Sequence, residues 1–149
     1  MAQASSLYVY DNVLQVLSAG EAVAFPKIGA QENMVISPDG TTVTFKKAGN
    51  HAVLVALAVK ALVGANNKYH HRVGFELNGA LLDQSVFATE VVNDSAVDDE
   101  RRAQLVNKVI HYFNEGDTLR VLYLSGGILD PDFDFGLNTV CASLKCAEQ

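Results

Sequence analysis

Between Thr41 and Val63 the chain reads TTVTFKKAGNHAVLVALAVKALV, and from His51 onward both alternating sets of positions are apolar. One set is Val53, Val55, Leu57, Val59 and Ala61; the other is Ala52, Leu54, Ala56 and Ala58, broken only by Lys60. In a strand these sets project to opposite faces, so the pattern predicts a strand that needs cover on both sides. The domain's own core supplies one cover, and another copy of the chain is the expected source of the second. Lys60 marks where the strand should leave that contact, because an unpaired buried ammonium is costly.

The remaining pattern is also strand-like. Alternation and β-branched or aromatic content predict strands near Val13–Leu17, Ala22–Phe25, Met34–Ile36, Thr42–Phe45, Asn50–Leu62, His71–Leu77, Ser85–Val92, Gln104–Phe113, Thr118–Leu124 and Thr139–Cys146, about ten in all. Between them stand Ser37-Pro38-Asp39-Gly40, Ala48-Gly49-Asn50, Asn78-Gly79, Asn114-Glu115-Gly116-Asp117 and Ser125-Gly126-Gly127. Gly and Asn tolerate positive φ, which is why such sets form turns. Many short strands with regular turns imply a sandwich, a barrel or a jelly roll. Helix formers gather only near Asp98–Gln104, where a brief helical turn is expected, and the polar run Asp94–Arg102 reads as an exposed loop. Residues 1–12, with the strand-like Leu7-Tyr8-Val9-Tyr10, precede the main pattern and are expected to form an arm; residues 13–149 make one domain.

Composition supports the second cover. A chain of 149 residues can bury roughly two thirds of its unfolded surface in one core. Hydrophobic residues make up 49% and charged residues 19%, a smaller charged fraction than soluble proteins usually carry. The net charge of -6, with Lys and Arg scattered, disfavours nucleic acid as a partner. The N-terminal MAQASSLYVYDNV lacks the basic start and apolar stretch of a secretory signal, and no apolar run approaches the length of a membrane span, so no membrane partner is expected.

Candidate chemistry is sparse, and no cofactor and no catalytic residue is expected. Cys141 and Cys146 are five residues apart. In an extended strand that is roughly 16 Å with the side chains on opposite faces, too far for an intrachain disulfide. Adjacent His70 and His71, with Glu76 and Gly79, resemble part of a cupin metal box, but neighbouring strand residues diverge whereas a metal needs converging imidazoles. Asp130, Asp132 and Asp134 in LDPDFDFG form a weak calcium candidate that lacks the Gly and Glu of an EF-hand loop, Phe135 and Cys141 standing in those places. Neither a nucleophile elbow nor a glycine-rich phosphate motif occurs.

Five segments carry a family resemblance: SAGEAVAF, MVISPDGTTVTFKKAGNHAVLVALAV, VGFELNGALL, VIHYFNEGDTLRVLYLS and TVCASLKC. Together they resemble the bacterial and phage branch of the tumour-necrosis-factor and complement-head jelly rolls, above all the globular C-terminal domain of the collagen-like glycoprotein of the spore exosporium. The chain departs from that pattern at His51, in the insert DSAVDDERR and in its C-terminal cysteines, and no Gly-X-Y stalk precedes the domain.

The resemblance implies an all-β, two-sheet antiparallel jelly-roll sandwich that forms a homotrimer through the far face of its inner sheet. The implied contact residues are Leu54, Ala56, Ala58, Val109, His111, Phe113, Cys141 and Ser143. It further implies a structural or adhesive module on a virion or spore surface, made in the cytosol, with other capsid or coat proteins as additional partners. The alternatives are a carbohydrate- or protein-binding module that uses the loops Asp94–Arg102 and Gly126–Asn138, and a metal-dependent jelly-roll enzyme.

Overall fold

A computed structural model describes residues 4–131 and 139–149. In chain order its strands are β1 (Ser6–Asp11), β2 (Gln15–Leu17), β3 (Glu21–Ala22), β4 (Lys27–Glu32), β5 (Met34–Ile36), β6 (Val43–Phe45), β7 (Gly49–Val63), β8 (Asn67–Leu77), β9 (Ala80–Asn93), β10 (Asp99–Phe113), β11 (Thr118–Tyr123), β12 (Gly127–Leu129) and β13 (Ala142–Glu148). They form two antiparallel sheets, and the described residues contain no helix.

The first sheet runs β10–β7–β13–β1–β4, with β12 and β2 continuing it past the end of β13. The second runs β5–β6–β11–β8–β9, with β3 beside β6 along β11. Strand β7 is central to the first sheet. Strand β10 follows its whole length, from Asp99 opposite Val63 to Phe113 opposite Gly49. Strands β13 and β12 share its other edge.

Three strands exceed the expected set, and each has a local reason. Strand β1 is no arm: it pairs with β13 on one side and β4 on the other, and Leu7 and Val9 are fully buried. Strand β4, KIGAQE, lacks alternation because it is an edge strand with no face in the core. Strand β12 is too short to read inside a glycine-containing turn. The expected helical turn near Asp98–Gln104 is also replaced, since Asp99–Gln104 begins β10 and pairs residue by residue with β7. A continuous ladder on a long partner outweighs a few residues of helix propensity. The Asn78-Gly79 turn does join β8 to β9 as a two-residue hairpin, with φ of 51° and 84°.

The core lies between the sheets. Val53, Val55, Leu57 and Val59 of β7, Leu7 and Val9 of β1, Leu144 and Cys146 of β13 and Leu105 of β10 are buried from one side. Val43, Phe45, Val73, Phe75, Leu119, Val121 and Tyr123 meet them from the other. Phe45 and Phe113 join the two layers as stacked rings, 4.0 Å between centroids and 7° between planes, with His51 edge-on to both.

Among the titratable groups buried in this core, His71 sits without charge compensation from any described residue. His71 is fully buried, its Nδ1 hydrogen-bonds the Tyr123 hydroxyl, and its Nε2 has no partner among the described residues. Burial lowers its pKa from 6.5 to about 4 and raises that of Tyr123, so the pair is neutral in the folded protein. An unfolded His71 takes its proton near pH 6.5 and the folded one only near pH 4, so acid favours the unfolded chain. Stability is therefore expected to fall by about 3 kcal/mol between pH 6.5 and pH 4 through this residue. Urea unfolding across that range should show this loss in the native chain and a shallower one in His71→Gln; equal slopes in the two would refute the assignment.

Candidate interface on the open face of the first sheet

The side of the first sheet that faces away from the core is built by register. Strand β7 sends its odd-numbered residues inward, and Asn50, Ala52, Leu54, Ala56, Ala58, Lys60 and Leu62 outward. Across the ladders the outward residues form rows. Ile110, Ala52, Ala147, Ser6 and Glu32 make one; Lys108, Leu54, Lys145, Tyr8 and Ala30 the next; Val106, Ala56, Ser143, Tyr10 and Lys27 a third. Val106 and Ile110 are each 60% exposed, Tyr112 53%, and Leu54 and Tyr8 each 37%.

Relief on this face follows from side-chain size. Alanines and Ser143 make a low floor along β7 and β13, with the taller β10 residues on one side and the Tyr8–Tyr10 pair on the other, its rings 5.6 Å apart. Gly29 of β4 makes room for Tyr8, because a Cβ there would stand 2.5 Å from the Tyr8 ring. A depression of about 230 Å³ lies between Tyr8, Ala56, Gln104, Val106, Val140 and Ser143. In these rows the outward positions of β1, β7, β10 and β13 carry no carboxylate.

The apolar rows end at a charge cluster. Lys60 lies between Arg102 on β10 and Ile128 on β12. Its ammonium is 3.1 Å from the Asp130 carboxylate, which also accepts a 2.7 Å hydrogen bond from Arg102. Glu100 stands 4.0 Å from both cations. Asp130 is only 4% exposed, and its backbone N–H donates to Ala58. Lys60 is thus paired at the edge of the apolar rows, where the sequence pattern expects the strand to emerge.

The eight expected contact residues separate into two groups. Leu54, Ala56, Ala58 and Ser143 lie on the open face, although Ala58 is already 7% exposed within one protomer. Val109, His111 and Phe113 do not. Antiparallel pairing sets Lys108 opposite Leu54, so the even-numbered residues of β10 share the open face and the odd-numbered ones turn to the core. Both sets of β10 mix apolar and polar residues, and only the register distinguishes them. Cys141 is also misplaced: it precedes β13, fully buried, with its thiol near the carbonyl oxygens of Asp11 and Val13 at 3.5 and 3.4 Å. Val106, Lys108, Ile110, Tyr112, Lys145, Tyr8 and Tyr10 are the outward residues that sequence reasoning missed. The alternation in Leu7-Tyr8-Val9-Tyr10 was the available signal for the two tyrosines.

The other candidate chemistry is structurally engaged. Both cysteines are free and buried, and burial pushes the thiols up, Cys141 to about 11 and Cys146 to about 12, which suppresses thiolate chemistry. His70 and His71 diverge: His70 is exposed and 2.7 Å from Glu90, while His71 points into the core. Asp130, offered by the sequence as a calcium ligand, is instead taken up by Lys60 and Arg102; Asp132 and Asp134 lie outside the described residues. Among the described residues no three His, Cys, Asp or Glu side chains are grouped to hold a metal.

No protein-family model matches the chain, and no curated protein matches it by sequence. Solved structures do. The Eiger TNF of S. frugiperda superposes with a TM-score of 0.71 at 11% identity, covering 98% of this chain and 92% of that one. The globular domain of the zebrafish complement 1qA protein superposes with a TM-score of 0.57 at 11% identity, covering 95% and 94%. The strand order and the comparisons agree that the chain has the jelly-roll fold of the tumour-necrosis-factor and complement globular domains.

Proposed function

We propose that the protein is a homotrimeric, non-enzymatic structural or adhesive module whose copies meet through the open face of the first sheet. The observation that carries this is the exposed set Leu54, Val106, Ile110, Tyr112 and Tyr8 around an alanine floor, on a fold shared with tumour-necrosis-factor and complement domains. A contiguous apolar face is unfavourable in water, and copies of one chain cover it most economically with closed symmetry. The floor admits a neighbour's side chains close to the backbone. The ion cluster at Lys60 bounds the surface where desolvation would become costly.

The finer part of this reading is display on a particle, a virion or a spore, where a fold of this kind serves as a decoration or fibre head. It is supported by the resemblance of segments such as MVISPDGTTVTFKKAGNHAVLVALAV to spore and phage surface modules. It is compatible with thiols held as buried, protonated groups.

Light scattering at micromolar concentration should give the mass of three chains. Ile110→Glu, which places a carboxylate in the apolar rows, should reduce it to one chain with the fold intact by circular dichroism. Val35→Glu, on an exposed position of the second sheet, should leave it unchanged. A monomeric native chain refutes the assembly. For display, the native protein should co-sediment with purified virions or spores from its source; recovery in the free soluble fraction alone would exclude it.

A further inference from the structure

The open face carries two cations, Lys108 and Lys145, that have no ion-pair partner among the described residues. Lys108 and Lys145 flank Leu54 in one row, joined to it through the β10–β7 and β7–β13 registers. Neighbouring strands are about 4.8 Å apart, so the lysine stems rise from points roughly 10 Å apart on the same side of the sheet. Between them is a depression of about 220 Å³ lined by Ala52, Leu54, Ala147 and Gln149 together with the two lysines. Its floor is hydrocarbon, and its rim offers two ammonium groups and a carboxamide. Among the described residues neither lysine forms an ion pair.

The surroundings decide what could neutralise them. Two neighbouring carboxylates are committed elsewhere: Glu148 accepts from Lys47 and from the Ser5 backbone N–H, and Glu100 belongs to the Lys60 cluster. Outward positions of β1, β7, β10 and β13 in these rows hold no acid, and the outward carboxylate on β4 is Glu32, opposite Ser6 at the far edge of the sheet, so copies that meet through the inner strands bring further lysines together. Covering the face without a counter-charge would bury unpaired ammonium groups, which is strongly unfavourable.

We propose that Lys108 and Lys145 bind an oxoanion of the phosphate or sulfate class in this depression, and that the anion is sealed between copies when the face is covered. The binding site stands on one protomer; the sealing rests on the homotrimer reading. The ammonium groups donate charge-assisted hydrogen bonds, and the apolar floor excludes water and strengthens them. The depression has room for one tetrahedral anion, and the Gln149 carboxamide at its rim donates one N–H to the Ala147 carbonyl and has its second N–H left for the anion.

The test is titration of the full chain with inorganic phosphate at constant ionic strength, read by calorimetry, thermal unfolding and light scattering. Saturable binding is expected, with a rise in melting temperature of roughly 3 to 6 °C at ten times the dissociation constant relative to chloride. Lys108→Met with Lys145→Met should abolish the response, and Lys108→Arg with Lys145→Arg should retain it, which separates loss of charge from loss of fold. Binding that needs both lysines in a chain that remains monomeric supports the site and removes the trimer. A trimer with no saturable phosphate binding, or with binding that survives the Met variants, overturns the site and leaves the trimer. A phosphate-independent trimer destabilised by the Met variants also overturns it, assigning the lysines to a neighbour's carboxylate.

Discussion

The placement of β7 governs the rest of the molecule. Hydrogen-bonded by β10 along its whole length on one side and by β13 and β12 as far as Lys60 on the other, this strand has no freedom to slip. Its two apolar sets differ in bulk. A one-residue shift would exchange Val53, Val55, Leu57 and Val59 for Ala52, Leu54, Ala56 and Ala58 in the core. Burying a Val or Leu side chain contributes about 1.5–3 kcal/mol, considerably more than the single methyl of Ala, so the bulky set goes inside. The small set is left outside as a floor.

From that choice the open face follows row by row. Because β7 presents its even-numbered residues outward, antiparallel pairing obliges β10 to present Val106, Ile110 and Tyr112, and β13 to present Ser143, Lys145 and Ala147. The same alternation carries Lys60 outward and places it beside Arg102. Asp130, arriving where β12 ends, pairs with both cations from a nearly buried position, and Glu100 supplies the second negative charge. Removing one partner of such a cluster leaves a desolvated charge, a penalty of about 3–5 kcal/mol, which makes the cluster a boundary rather than an accessory. The Phe45–Phe113 stack ties the two sheets together, and the neutral His71–Tyr123 pair joins neighbouring strands of the second sheet.

Much of this was legible in residue order. The two-sided strand, the Asn78-Gly79 hairpin and the all-β class are direct consequences of alternation and of φ preference. Strand β1 was legible as a strand but not as part of the sheet, because pairing with β13 spans almost the whole chain and leaves no local trace. Strand β4 has no alternation to read, being exposed along its length. Leu54, Ala56, Ala58 and Ser143 lie on the open face, as alternation alone suggests, because their strands have one plainly bulkier or more apolar face. Val109, His111 and Phe113 were misassigned because the two faces of β10 are equally mixed. Cys141 was misassigned because the regular alternation of β13 begins only at Ala142. Register is a property of pairs of strands, and no single strand contains it.

The central claim is that the open face of the first sheet is covered by copies of the same chain. The most direct measurement is the rate at which a thiol reagent labels a cysteine substituted for Val106, a position 60% exposed in one protomer. The native Cys141 and Cys146, buried and protonated, should give little background. At micromolar concentration Val106→Cys should label many times more slowly than the same cysteine in the Ile110→Glu background. Labelling at the rate of a free surface thiol at every concentration, with the fold intact, would contradict the account.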